Sequence, residues 1–199
     1  MKPILAILLL SFGISAVAAA APVTPVTSQS IVESLKPTRT RGIVAPEDQL
    51  TPGQSSLVGN LRGKTRAIQV EERTELATII AKPSVRRLDL EVFFPLNSAS
   101  ITPQATPVLV QLGLALKSPE LRGSVFVVSG HTDATGAAAY NLDLSQARAI
   151  SVKSFLIEKF GIDPSSLIAV GYGSEHLRNP QDPFGGENRR VEIANLPAF

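Results

Sequence analysis

SVFVVSGHTDATGAAAYNLDLSQARAISVKSFLIEKFG, residues 124–161, carries the change of period on which the fold turns. Val125 to Val128 form a short run apolar on both sides, the signature of a strand covered on both faces and therefore central in its sheet. From about Asn141 to Phe160 the apolar residues return at helical spacing, and Gly161 suits the left-handed cap that closes a helix. Between strand and helix lies a turn that holds Asp133, followed by Gly136 and three alanines that permit close approach of the backbone. A strand, a tight turn and a long helix in that order are the unit of an α/β fold.

Working outward, RLDLEVFF (87–94) alternates Leu88, Leu90, Val92 and Phe94 against Asp89, Glu91 and Phe93, the period of a half-buried strand. Thr102 then suits a helix cap and Pro103 its first turn, where a missing N–H costs nothing. Leu109, Leu112 and Leu116 share one face of that helix. Downstream, SLIAVGYG (166–173) reads as a third strand. NRRVEIANL (188–196) reads as a fourth, with Arg189, Val191 and Ile193 alternating against Arg190, Glu192 and Ala194. The order β-α-β-α-β-β predicts an α/β two-layer sandwich, beginning near Ser84 and running to residue 199, with both helices on one face of the sheet.

The part before it is different in kind. Residues 1–21, MKPILAILLLSFGISAVAAAA, have Lys2, an apolar core and a small-residue tail, the layout of a secretory signal. A retained membrane anchor is the rival reading of the same stretch, and either one exports the remainder. Residues 22–83 are rich in Pro, Ser and Thr and read as a flexible linker, with a turn or two of helix at SIVESLK and a short helix near 70–81. The whole chain has 199 residues, a formal charge of +2 and 5% aromatics, which argues against a nucleic-acid partner. Cysteine is absent, which excludes disulfides, thiolate metal sites, a cysteine nucleophile and a lipidated N-terminal cysteine.

At 100° per residue, Leu144, Arg148, Val152 and Phe155 fall on one stripe of the long helix, and Asn141 lies close to Arg148 in angle. Asp143, Gln146 and Lys153 point elsewhere. An arginine beside an apolar face needs an anionic partner, because an unpaired charge at low dielectric is costly. Asp133 sits at the C-terminal end of its strand, where α/β sheets form ligand sites. Two readings stay open on this pattern. Asp133 and Arg148 form a salt bridge that pins loop to helix, or they face a ligand that carries both charges. In the second case Asp133 takes an ammonium, Arg148 takes a carboxylate through paired hydrogen bonds, and Asn141 serves either end.

GHTD, YNLDLSQARAISV and NRRVEI, with VFFPLNSASITPQA before them, together resemble the OmpA-like peptidoglycan-binding domain over about Val85 to Leu196. The resemblance implies a non-enzymatic, exported periplasmic module, associated with the outer membrane or cell wall. It would grip the diaminopimelate residue of the peptidoglycan stem and so anchor or organise the envelope. It implies ligand-binding roles for Asp133 and Arg148. By the same resemblance Thr132, from the HTD motif, Asn141, Asn97 and Ser98 would line the same pocket, and Arg189 would support it. Arg190 is expected to face solvent or a neighbouring loop. Pro95 stands where the family often has an acidic residue. No barrel is expected before the domain within this sequence, since roughly 65 residues cannot supply about eight spanning strands. The 22–83 segment is what remains for contacts with other envelope proteins, and membrane association stays open.

Other constellations are weaker. His131 and Asp133 have an HxD look, but with no third ligand no metal is expected, and no cofactor motif is present. His131 is expected to orient its turn through a hydrogen bond. Tyr140 and Tyr172 read as core or rim, and Phe155 and Phe160 as core. No GxSxG occurs and no catalytic triad can be assembled.

Overall fold

The protein is described by a computed structural model over residues 26–37, 49–64 and 68–196. The 1–21 segment read as a signal lies outside these residues. Five helices and four strands follow one another: α1 (Ser28–Leu35), α2 (Pro52–Leu61), α3 (Val70–Ile80), β1 (Arg86–Leu90), α4 (Thr106–Leu116), β2 (Val125–His131), α5 (Ala138–Phe160), β3 (Leu167–Gly173) and β4 (Val191–Leu196). From β1 onward this is the expected β-α-β-α-β-β order.

The strands form one sheet in the order β1-β4-β2-β3, with β4 antiparallel to both neighbours and β2 parallel to β3. β2 is interior, as its two-sided apolar run requires, and all of its residues are buried. Alternation then sorts the side chains between faces. Phe126, Val128, Val191 and Ile193 meet α4 and α5 through Leu109, Leu112, Val152 and Leu156. Val125, Val127, Ile168, Val170 and Ala194 face the other way.

The second face of this two-layer domain is not left open. It is covered by α2 and α3, whose Val58, Leu61, Leu76, Ile79 and Ile80 are buried against it. The sheet is therefore enclosed between two helical layers. α1 adds Ile31, Val32 and Leu35 to the first layer beside α4 and β1, and the Leu35 carbonyl accepts a hydrogen bond from Asn195 at 2.9 Å. The segment read as linker thus contains three packed helices. α1 and α3 fall where helix was expected, at SIVESLK and near 70–81, whereas α2, with two core residues, shows no sustained period. α2 and α3 exist because the sheet offers them a face, not because they are strongly amphipathic alone. Local signals do mark their starts: Thr27 and Thr51 accept hydrogen bonds from the backbone of Ser30 and Gln54, and Glu72 accepts from the Gln69 N–H.

Two details of the long helix position the site. α5 ends on Gly161 at φ 63°, the left-handed cap its glycine allows. Its middle lies almost on the sheet backbone: a Cβ at Gly130 would stand 2.2 Å from the Ser145 carbonyl oxygen, and one at Gly171 2.3 Å from the Gln146 nitrogen. Glycine at both places lets helix and strands approach. β1 ends sooner than the alternation through Phe94 suggests. Its ladder stops at the Leu90–Val191 pair, because β4 begins there and offers no further partner.

Candidate functional site

The site is built where β2 runs out. The His131 N–H donates to the Arg190 carbonyl at 3.0 Å and the Thr132 N–H to the Gly173 carbonyl at 2.9 Å, so the turn hangs from both neighbouring strands. Asp133 follows and accepts from the Thr135 N–H through Oδ1 at 2.9 Å, the self-closing turn for which aspartate is suited. Asn141, buried on the first turn of α5, donates to the Thr135 carbonyl at 2.9 Å and more weakly to that of Asp133 at 3.4 Å. Its amide therefore locks the loop to the helix.

Asp133 is 8% exposed, and its charge is met by Arg189: Nη1 donates to Oδ2 at 2.6 Å. Burial works against the ionised form of Asp133. Hydrogen bonds from Arg189 and Thr135, with the Arg189 charge, outweigh it and hold the carboxyl below its usual range. The side chain of Arg189 is 53% exposed, so this partner reaches in from solvent.

Arg148 is 7% exposed and has a different set of neighbours. Nε donates to the Ser98 carbonyl at 3.0 Å, Nη2 to the Pro95 carbonyl at 3.3 Å, and the guanidinium lies 5.0 Å from the centre of the Phe94 ring. Among the described residues no carboxylate forms an ion pair with it. Burial pushes its pKa down and the nearby Arg189 adds to this, while Tyr140 and Asp133 pull the other way. The Asp133–Arg148 salt bridge, one of the two sequence readings, is not formed. The two charges feel each other but are held by separate partners. Arg148 and Arg189 face a common cavity of about 270 Å³, walled also by Phe93, Phe94, His131 and Arg190.

The remaining predicted residues take unequal parts. Thr132 is buried, and its hydroxyl has no partner. Ser98 contributes its backbone carbonyl to Arg148, while its hydroxyl accepts from the Ser100 N–H. Asn97 is exposed at φ 52° in the turn after Pro95, and no hydrogen bond joins its side chain to the others among the described residues. Its visible role is conformational, since asparagine tolerates this region.

One expectation is narrowed and one is corrected. Of the two settings expected for Arg190, the neighbouring loop is the one found: Arg190 is buried and donates to the His176 carbonyl there, and also to Asp89 on β1 at 2.9 Å. His131 does not orient its turn through its ring: the imidazole is buried, stacked on Tyr172 with centroids 5.6 Å apart, and makes no hydrogen bond of ordinary geometry. Burial, with Arg190 and His176 nearby, pushes its pKa down to about 3 despite an opposing pull from the His176 backbone. Gln146 and Lys153, off the Arg148 stripe, each have partners of their own. Gln146 accepts from the Gly171 N–H at 2.8 Å and donates to the Ala169 carbonyl at 3.2 Å, and buried Lys153 reaches the Lys64 carbonyl at 3.2 Å. Phe94 and Pro95 were missed as site residues. Phe94 read as strand core, and nothing in a sequence marks a carbonyl such as that of Pro95 as a future acceptor.

The sequence pattern of the OmpA family matches residues 93–190. Among curated relatives, Outer membrane protein A of Bordetella avium is 34% identical over 105 residues, covering 52% of this chain and 53% of that protein. Outer membrane porin F of Pseudomonas fluorescens is 36% identical over 112 residues, 55% of this chain and 33% of that protein. The Peptidoglycan-associated lipoprotein of Pseudomonas aeruginosa is 31% identical over 105 residues, 51% of this chain and 59% of that protein. The chain thus matches between about a third and six-tenths of the length of these three relatives. Of solved structures, the OmpA-like domain of FopA1 from Francisella tularensis aligns at a TM-score of 0.48 and 21% identity, over 57% of this chain and 73% of that one. The peptidoglycan-associated lipoprotein from Burkholderia pseudomallei aligns at 0.45 and 28%, over 52% and 87%.

Proposed function

From the premise that residues 93–190 are an OmpA-family domain, we propose that this chain binds peptidoglycan without catalysis, through the diaminopimelate residue of the peptide stem, and so anchors or organises the cell envelope. The carrying observation is Arg148: a buried guanidinium held by two carbonyls and an aromatic face, with no carboxylate paired to it. Carbonyls orient an arginine but do not neutralise it, and a buried cation lacking an anion is a site for one. A ligand carboxylate takes that place. Asp133 keeps lone pairs free beyond those used by Arg189 and Thr135, so a ligand ammonium can join it. Thr132, with its unused hydroxyl, is a further contact. The name of the Pseudomonas aeruginosa relative, a peptidoglycan-associated lipoprotein, supports the ligand class. The setting is an envelope compartment, and none of the described helices is long and apolar enough to cross a membrane.

The test is co-sedimentation of the purified protein with diaminopimelate-type sacculi, beside Asp133→Ala and Arg148→Ala, with thermal melts of all three. Wild type is expected in the pellet and both folded variants in solution. Folded variants that pellet as wild type does, or wild type left in solution, would overturn the assignment.

A further inference from the structure

The opposite side of the sheet holds a second cavity of about 460 Å³, which exists because α3 roofs that face. Its floor is polar and made by the sheet. Arg87 comes from β1, Glu192 from β4, Tyr172 from β3 and His131 from β2; Ile80 and Ala77 of α3 and Leu177 of the following loop supply apolar wall. His131 and Arg190 also stand in the wall of the Arg148 cavity, so the two spaces lie back to back.

Two observations point to a ligand. Tyr172 and His131 are each 3% exposed, yet the Tyr172 hydroxyl and both imidazole nitrogens lack hydrogen-bond partners among the described residues. Buried polar groups are nearly always paired, so orphans on a cavity wall are donors and acceptors awaiting a partner. The charges tell the same story. Arg190 is matched by Asp89 and Glu175 by Arg73, at 2.9 and 3.0 Å. Exposed Arg87 and half-buried Glu192 remain on the floor with no ion pair to each other or to another described residue. Arg87 lies opposite Ala194, two positions along the same face from Glu192, so the two opposite charges are diagonal neighbours.

We propose that this cavity binds a small zwitterion with an apolar side chain, a dipeptide. Its carboxylate meets Arg87, its ammonium meets Glu192, the Tyr172 hydroxyl donates to its carbonyl, and Ala77, Ile80 and Leu177 enclose its side chain. The volume falls within the range of about 300–1,000 Å³ usual for small-molecule sites. The site is independent of the peptidoglycan reading, since none of its charged contacts is Asp133 or Arg148.

Calorimetric titration of the purified protein with alanyl-leucine tests it, beside the same dipeptide acetylated at one end and amidated at the other. The free dipeptide is expected to bind, and the blocked one at least about tenfold more weakly, as loss of charge-assisted hydrogen bonds implies. Arg87→Gln and Glu192→Gln reproduce that loss, and Arg148→Ala leaves affinity unchanged. The comparison of free with blocked dipeptide needs no substitution, so it stands even where a variant unfolds. No binding up to about 10 mM, or equal binding of the blocked form, overturns the proposal. So does a loss of binding on Arg148→Ala, which would place the dipeptide in the other cavity.

Discussion

Arg148 and Asp133 each take partners that lie far away along the chain. Arg189 is 56 positions from Asp133, and the Arg148 acceptors are carbonyls 50 and 53 positions away. Backbone acceptors carry no sequence signal. His131 makes the same point and allows a pH test. Its pKa of about 3 in the fold lies below the ordinary 6.5. Between those values the unfolded chain binds a proton that the folded chain refuses, so stability is full above pH 6.5 and falls as the pH drops toward 3. At about pH 5 the loss is about 2 kcal/mol relative to about pH 7.5. Asp133, also depressed, loses its contribution only as the pH falls through a value under 3.8, outside this window. Urea midpoints of wild type should therefore fall between about pH 7.5 and 5, and those of His131→Phe should stay flatter; parallel curves would assign the acid loss to another group.

At the scale of elements, type and order were readable because period 2 and period 3.6 do not resemble each other. Boundaries were less so. β1 stops four residues before its alternation does, since a ladder ends where its partner ends, and the freed stretch 91–95 becomes the rim that holds Arg148. α5 shows a contact that spacing cannot forecast. Ser145 and Gln146 accept hydrogen bonds from the Gly173 and Gly171 N–H groups of β3, which is an edge strand with backbone groups otherwise unpaired. Glycine at 171 is what lets the helix come that close. Gly171→Ala is expected to cost about 3 kcal/mol or more, because the collision is with backbone that cannot rotate away. Gly59, exposed on α2 with nothing within 4 Å of a added Cβ, should behave oppositely. Gly59→Ala is expected to stabilise by up to about 1 kcal/mol through helix propensity. Denaturant midpoints of the two variants measure both, and equal effects would mean that α5 does not rest on β3 as described.

For the whole molecule, the decisive feature is the cover that α2 and α3 place on the second sheet face. Removing residues before Ser84 would bare Val125, Val127, Ile168, Val170 and Ala194 together, a patch of the size that binds hydrophobic dyes or associates. A chain beginning at Ser84 should bind such a dye and self-associate where the full chain does not; a monomeric, dye-silent fragment would show that the sheet tolerates an open face. By itself the sequence determined the α/β class, the order of strands and helices from residue 84 onward and the two charges of the site. Each of these is written in short-range patterns of polarity, turn residues and charge. Tertiary structure alone decided that α2 and α3 pack onto the sheet, that Asp133 pairs with Arg189, and that Arg148 is left without an anion among the described residues. Those outcomes depend on which surfaces meet across many tens of residues, where a helix with two or three apolar side chains becomes stable only after the face it covers has formed.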